Sequence, residues 1–432
     1  MSDQTAPGIE MRVALKPEYR DLLMPESLDF IADLQRKFGP MYESFAGEIN
    51  ARQAVFKSGD QPDFLAQTAE IRESNWTIGP SPIPKPLQDH RVELVASTER
   101  SAINAALASG AQVFTARMEH KSPTDWQTVM KGHSNLRDTL LGVIGPDSVA
   151  DADVHENKSK PTLVFQPRPW PQMEENVYVD GKPVYAPLFD FGLFFFTNQE
   201  HFVGEHKGCF LHLPKLYGHQ EALVWNEVFM YSQDILSLPR GKIKVIAPIE
   251  TVSAALEMNE ILYELRDHAV ALSCGYQDYI SDLLQTVGES ASEPPHLEQS
   301  PPTVHCLRSL SQLLVQTCHR RGAYAIGDLT DSMLVPNDDA ANREFIAHVR
   351  AAKEQEAEDG FDGSRVGHPD LVPVVREVFD RHMGQARELH DERAKLVPSA
   401  HDVFVETRQG PNQLGVMRED VEVGAEDLLA LP

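Results

Sequence analysis

The sequence predicts an α/β barrel of eight parallel strands, a TIM (β/α)8 barrel, behind an N-terminal α-helical clasp. Three observations carry this. Short apolar or alternating runs recur from Val92 onward, helix-like stretches separate them, and several runs finish on an ionisable residue. Strand and helix patterns in alternation imply parallel βαβ units, because a parallel return needs a crossover long enough for a helix.

Residues 1 to about 90 are read as the clasp and its linker. "PESLDFIADLQRKFGPMYESFAGEINARQAVF" spaces its apolar residues at three and four, the period of one helix face. "GPSPIPKPLQD", Gly79 to Asp89, is too rich in proline to continue a helix and reads as an extended linker. The barrel is placed at 91–390, with strands at "VELVAS", "AQVFTARME", "TLVFQPRPW", "CFLHLPKL", "KVIAPIE", "AVALSCG", "TVHC" and "AYAIGD". Of these, "TVHC" has the weakest pattern. "VDGKPVYAPLFDFGLFFFTN" is read as an insertion after the third strand, at about 171–200. "GESASEPPHLEQSPPT" is a polar Pro/Ser-rich loop, and 391–432 is an acidic tail.

Composition narrows the function classes. Sixty-five acidic residues against 39 basic ones give a net charge of −26, which leaves little to neutralise phosphates and argues against nucleic acid as a partner. The same imbalance makes a self-repelling surface and is compatible with a salt-adapted source. No run of about 18 apolar residues reads as a membrane span. The opening residues lack the basic and apolar regions of a signal peptide, and the final Leu-Ala-Leu-Pro is no peroxisomal address. The four cysteines, Cys209, Cys274, Cys306 and Cys318, form no CxxC pair and read as reduced thiols of a cytoplasmic protein.

The chemistry is expected at the C-terminal ends of the strands, where a barrel of this kind holds its active site. Those ends carry Glu119, Arg168, Lys215, Glu250, Asp278 and Asp328. For any one of them, capping a strand or pairing with a lysine is the plainer role. Together, two carboxylates on adjacent strands with an arginine nearby suit a hard divalent ion such as Mg²⁺, which keeps positions open for water and an oxyanion substrate.

Longer stretches are more specific. "LFDFGLFFF", "HLPKL", "LPRGKIKVIAPIETVSAALEMNEILYELRDH", "CGYQDYI", "LLVQTCHRRGAYAIG" and "DGFDGSRVGHPDLVPVVREVFD" resemble the malate synthase A family, in the family's order and over nearly the whole chain. The resemblance implies condensation of acetyl-CoA with glyoxylate to give malate and CoA in the glyoxylate cycle, with Mg²⁺ as cofactor and acetyl-CoA as co-substrate. It implies that Glu250 and Asp278 are Mg²⁺ ligands, and that Arg168 contacts glyoxylate and the acetyl-CoA enolate. It further implies that the amides around Gly275, Tyr276, Gln277 and Asp278 grip the glyoxylate carboxylate. Pro369 falls near the coenzyme A chain, while Glu119 and Lys121 fall where the family orders metal waters and the thioester.

The chain also departs from the family. The family's "ADFED" is here "ARMEH", so Arg117 and His120 replace two acids around Glu119. "QPRPW" has Pro169 where the family has glycine, and Tyr217 stands where the family has a small or acidic residue. The family continues into a helical domain that brings the catalytic aspartate, whereas this sequence stops at Pro432. Asp328 and Asp331, read as lying at the end of the eighth strand, are two new carboxylates that could replace that base. Such an arrangement would also suit a malyl-CoA lyase or thioesterase, or a non-catalytic homologue that binds coenzyme A or an oxo-acid. Citrate-lyase-type relatives, which also lack the large C-terminal domain, borrow an acid from a neighbouring subunit, so a homo-oligomer is a further expectation.

Overall fold

The first regular element is a short strand, β1 (Ile9–Met11), followed by a 33-residue helix, α1 (Pro25–Lys57). These and all elements below come from a computed structural model that describes residues 7–57, 63–79, 82–118, 125–144, 160–286, 305–331 and 339–383. Leu28, Ile31, Leu34, Phe38, Tyr42 and Ile49 of α1 are buried at helical spacing, so one stripe of the helix faces the body of the protein. After α2 (Ala69–Glu73) the chain runs along the barrel as a strap held by Arg321. That buried guanidinium donates to the main-chain carbonyls of Ile71, Arg72, Ser74 and Trp76.

Eight parallel strands then close into a barrel. In chain order they are β2 (Val92–Ser97), β3 (Val113–Arg117) and β4 (Thr162–Gln166), then, after a hairpin, β7 (Cys209–His212), β8 (Ile243–Ile249), β9 (Ala269–Cys274), β10 (Tyr324–Thr330) and β11 (Gly363–Val366). β11 pairs with β2 to complete the circle. The helices that follow these strands are α3 (Arg100–Ala108), α4 (Trp126–Leu140), α5 (Ala186–Thr197), α6 (His219–Ile235), α7 (Val252–Leu256), α8 (Met258–Glu264), α9 (Tyr276–Thr286), α10 (His305–Arg321), α11 (Asp339–Asp359) and α12 (Val372–Met383). Among the described residues no helix is long and apolar enough to cross a membrane.

Two strand assignments change. His305 and Cys306 of "TVHC" begin α10, while residues 303–304 lie outside those described. "AYAIGD" supplies the seventh strand, and the eighth is "GSRV". A strand of four residues built from glycine, serine and arginine carries almost no hydrophobic periodicity. It is nonetheless wholly buried, because the closed barrel encloses it on both faces. Asp328 consequently sits in the seventh strand rather than at the end of the eighth.

The insertion is smaller than 171–200. It is the hairpin β5 (Met173–Val179) and β6 (Lys182–Tyr185), which joins β1 in an antiparallel sheet, while α5 is the barrel's own third helix. Asp180 and Gly181 form its two-residue turn with φ of 50° and 82°, a pairing that favours Asp-Gly. Arg36 of α1 grips Asp180, with Nε 2.8 Å from Oδ2, so the clasp holds the hairpin at its tip.

Strand parity decides which side chains reach the mouth, since residues two apart share a face. Val113, Val164, Phe210, Ile246, Ala271 and Ile326 form one buried cluster inside the barrel, with Leu87 of the proline-rich linker packed against them. Continuing outward in steps of two reaches Thr115 and Arg117, Gln166, His212, Glu250, Ser273 and Gly275, and Asp328. Arg168 breaks the series because β4 ends at Gln166 and the chain turns. Its side chain is 3% exposed. Nε and the backbone N–H each donate to Asp190 Oδ2 at 2.9 Å, Nη2 donates to Asp190 Oδ1 at 2.8 Å and Nη1 to Glu174 Oε2 at 3.0 Å. The expected substrate contact is corrected: Arg168 ties β4 to β5 and α5. Burial alone would raise the Asp190 pKa, but Arg168 and His133 hold it down to about 2.

Arg168→Lys should therefore destabilise rather than alter chemistry, because one ammonium cannot satisfy both buried carboxylates. A loss on the order of 2–4 kcal/mol in chemical denaturation is expected. A second buried carboxyl behaves oppositely. Glu221 of α6, 1% exposed, accepts from the Tyr217 N–H at 2.6 Å. Burial, with Glu257 nearby, pushes it from 4.5 up to about 8. A folded pKa above the unfolded one gives stability that is complete below 4.5 and lost as pH rises through about 8. Denaturation at pH 5 and pH 8.5 should show wild type losing more stability than Glu221→Gln, by on the order of 1–4 kcal/mol.

Candidate active site at the mouth of the barrel

A cavity of about 300 Å³ opens at the C-terminal ends of the strands. One side is acidic. Glu250 follows β8, whose seven residues are all buried, and lies across the end of β9. There a Cβ added at Gly275 would come 2.5 Å from Glu250 Cγ, so only glycine leaves room for this carboxylate. Asp278 stands in the first turn of α9, exposed, with Lys215 Nζ 3.6 Å from its Oδ1. Burial first, and then the Asp278 charge, push Glu250 up to about 7, against the pull of Arg365 and Lys215.

A carboxylate pair with so little compensation has the character of a cation site. Among the described residues no group of three or more His, Cys, Asp or Glu side chains could hold a metal ion. Two carboxylates do fit Mg²⁺, which commonly takes one or two protein oxygens and fills the rest with water and substrate.

Asp328 also lines the cavity. The Tyr276 N–H donates to its Oδ1 at 2.8 Å, while its own main chain is held by Lys353 Nζ at 2.7 Å and by Glu356 Oε1 at 3.2 Å. Burial pushes its carboxyl up to about 6, with Lys353 pulling the other way. A carboxyl poised near neutrality can take or hold a proton. Asp331, further along the same segment, reaches Arg117 Nη2 at 3.8 Å.

Residues that sequence reasoning did not place in the site make up the rest. Arg365 of β11, 4% exposed, donates from Nε to Gly327 O at 3.4 Å, from Nη1 to His212 Nε2 at 3.2 Å and from Nη2 to Cys274 O. His212 places Nδ1 at 3.0 Å from Leu213 O, so its Nε2 is the acceptor and the ring is neutral. Burial, then the charge of Arg365 and more weakly of Arg117, holds it far below its usual range. Arg117 and Gln166 are register partners on β3 and β4, and both line the cavity. The signal that could have found Arg117 is its parity with Thr115; Arg365 offered none, because its strand was not recognised.

The other expected residues divide. Gly275, Gln277 and Asp278 line the cavity with Glu250. Tyr276 contributes its N–H alone, since its hydroxyl turns away to Ser311 Oγ at 2.6 Å. Pro369, in the turn after β11, is not among the lining residues, nor is Arg168. Glu119 and Lys121 lie outside the described residues.

The family model described as "Malate synthase, TIM barrel domain" matches residues 162–407. The chain is 37% identical to the malate synthase of Myxococcus xanthus (strain DK1622), an alignment covering 100% of this chain and 76% of that protein. It is 36% identical to the glyoxysomal malate synthase of Cucumis sativus, covering 98% of this chain and 72% of that one. Among solved structures, protein CitE from Mycobacterium tuberculosis in complex with magnesium and acetate is similar at a TM-score of 0.42 and 18% identity, covering 72% of this chain and 99% of that one. On the strength of the matched barrel model and of these relatives, the chain belongs to the malate synthase family.

Proposed function

We propose that this chain condenses acetyl-CoA with glyoxylate at the barrel mouth and hydrolyses the malyl thioester to malate and CoA. The observation that carries the reading is the carboxylate pair at the cavity mouth: Glu250, just past β8 and given room by Gly275, and Asp278, in the first turn of α9. These two side chains would hold Mg²⁺. Bound there, the ion would polarise the glyoxylate aldehyde and offset the negative charge that develops on its oxygen. The chain's residues do the rest. The first-turn amides of α9, Gln277 and Asp278, have no partner within a helix and suit the glyoxylate carboxylate. The Gly275 and Tyr276 amides do not share that task, because they donate to Ile249 O and Asp328 Oδ1.

Asp328 is the cavity carboxyl suited to accept the methyl proton of acetyl-CoA. The Tyr276 N–H fixes one of its oxygens. Three described cysteines, Cys209, Cys274 and Cys318, are buried free thiols, which supports a reducing compartment such as the cytoplasm.

Three assays test this. Asp278→Ala should lose calorimetric Mg²⁺ binding and reduce condensation by at least ~100-fold, the scale of losing electrostatic stabilisation at a reacting oxygen. With pyruvate in place of glyoxylate, deuterium uptake at the acetyl-CoA methyl should fall on the order of 100-fold in Asp328→Asn and persist in Asp331→Asn. Cleavage of malyl-CoA without any condensation of acetyl-CoA and glyoxylate would replace this reading with a lyase or thioesterase.

A further inference from the structure

Asp328 and Leu329 are neighbours in sequence, yet both line the cavity. Regular alternation along a strand forbids that, since successive side chains point to opposite faces. The cause is a β-bulge. Ile326 of β10 is in register with Gly363 of β11 and Leu329 with Arg365, so three steps along β10 oppose two along β11. The extra residue leaves main-chain groups without ladder partners, and side chains take them up. Glu356 Oε1 accepts from the Asp328 N–H at 3.2 Å, and the Asp328 carbonyl accepts from Lys353 Nζ at 2.7 Å and from Ser364 Oγ at 3.3 Å. The Gly327 carbonyl accepts from Arg365 Nε at 3.4 Å. Lys353 and Glu356 belong to α11, which packs against β10 and β11, and neither is among the residues that line the cavity.

We propose that Lys353 and Glu356 are positioning residues that hold this bulge open from behind the barrel wall and thereby fix the place of the Asp328 carboxyl in the mouth. The two are 1% and 3% exposed and meet at 3.0 Å. Their mutual attraction is a poor reason for burying them, because desolvation offsets most of it, and Glu356 Oε2 has no hydrogen-bond partner. What the pair does is satisfy the N–H and the C=O of one bulge residue, groups that cost stability when left unmade inside a protein. Gly327 completes the fit. A Cβ there would overlap Glu356 Oε2, so the carboxylate reaches the Asp328 N–H only past a residue without a side chain. Without the pair, a regular ladder satisfies the same main-chain groups, and Asp328 and Leu329 can no longer both face inward.

The inference rests on the proposed function only where it takes Asp328 as the acceptor of the methyl proton; the bulge and its props stand on geometry alone. Removing one partner would strand the charge of the other, so the first probe is the double variant Lys353→Met with Glu356→Leu. Gly327→Ala is a second probe that keeps both charges: its φ is not in the left-handed region, and its methyl group drives Glu356 off the bulge. In both, deuterium uptake at the acetyl-CoA methyl, with pyruvate in place of glyoxylate, should fall at least ~10-fold while Mg²⁺ affinity is kept. Glu356→Gln, which keeps an acceptor oxygen for the Asp328 N–H, should recover most of the uptake. A crystal structure of the double variant should show that Asp328 and Leu329 no longer both border the cavity. An intact bulge in that folded variant overturns the inference, as does wild-type uptake in both probes when Asp328→Asn has lost it. If Asp328→Asn itself takes up deuterium as wild type does, the base assignment falls. The crystal structure then still decides the positioning, which a lost bulge upholds and an intact one overturns.

Discussion

A buried carboxylate that feels a second carboxylate nearby is costly unless something compensates it, and the mouth of this barrel is arranged around that constraint at Glu250 and Asp278. Glu250 can occupy its position only because residue 275 has no side chain. Asp278 can stand beside it because it lies in the first turn of a helix, where the peptide dipoles favour negative charge, and because Lys215 approaches from the fourth barrel strand. Even so, Glu250 is pushed up to about 7. The protein side chains leave Glu250 well above the ordinary carboxylate range, and the divalent ion we propose would supply the missing positive charge.

Seen from there, the other charges have an order. Arg117 and Arg365 line the same cavity of about 300 Å³ as Glu250, Asp278, Asp328 and Asp331, so the cleft carries both signs of charge rather than acids alone. Arg365 is clamped by main-chain carbonyls and a neutral histidine, so its charge acts on Glu250 from a fixed position. That rigidity keeps the field in place, which is what electrostatic catalysis requires of a site that must not reorganise as charge moves. The hairpin and clasp serve the same end at a distance: Arg168, Asp190 and Glu174 lock the exit of β4, and Gln166 stands two residues before that lock.

Much of this was legible in the sequence. Seven of the eight barrel strands, the long clasp helix and the acidic pair followed from apolar runs, helical spacing and strand ends. The eighth strand was not legible, because Gly363, Ser364 and Arg365 carry no apolar alternation and become a strand only through pairing with β10 and β2. Arg168 was misjudged for a related reason. Its place just after an apolar run looks like that of Glu250, but Pro167 follows a strand that has already ended, and one turn of the chain sends the side chain outward to α5. His212 was hidden by the opposite error, since alternation within β7 was read for the strand and not for what its last inward residue would face, while Arg117 was noticed only as a departure beside Glu119.

The central claim is that the room left by Gly275 is what makes the acidic pair a metal site. Its φ is not in the left-handed region, so alanine there adds a methyl group without backbone strain. Calorimetry of Mg²⁺ binding to Gly275→Ala tests it directly, with thermal unfolding as the check on folding. The methyl group must displace the Glu250 side chain, and a folded variant with Mg²⁺ affinity reduced at least ~10-fold is the predicted result. A folded variant that binds Mg²⁺ as the wild type does would contradict the account.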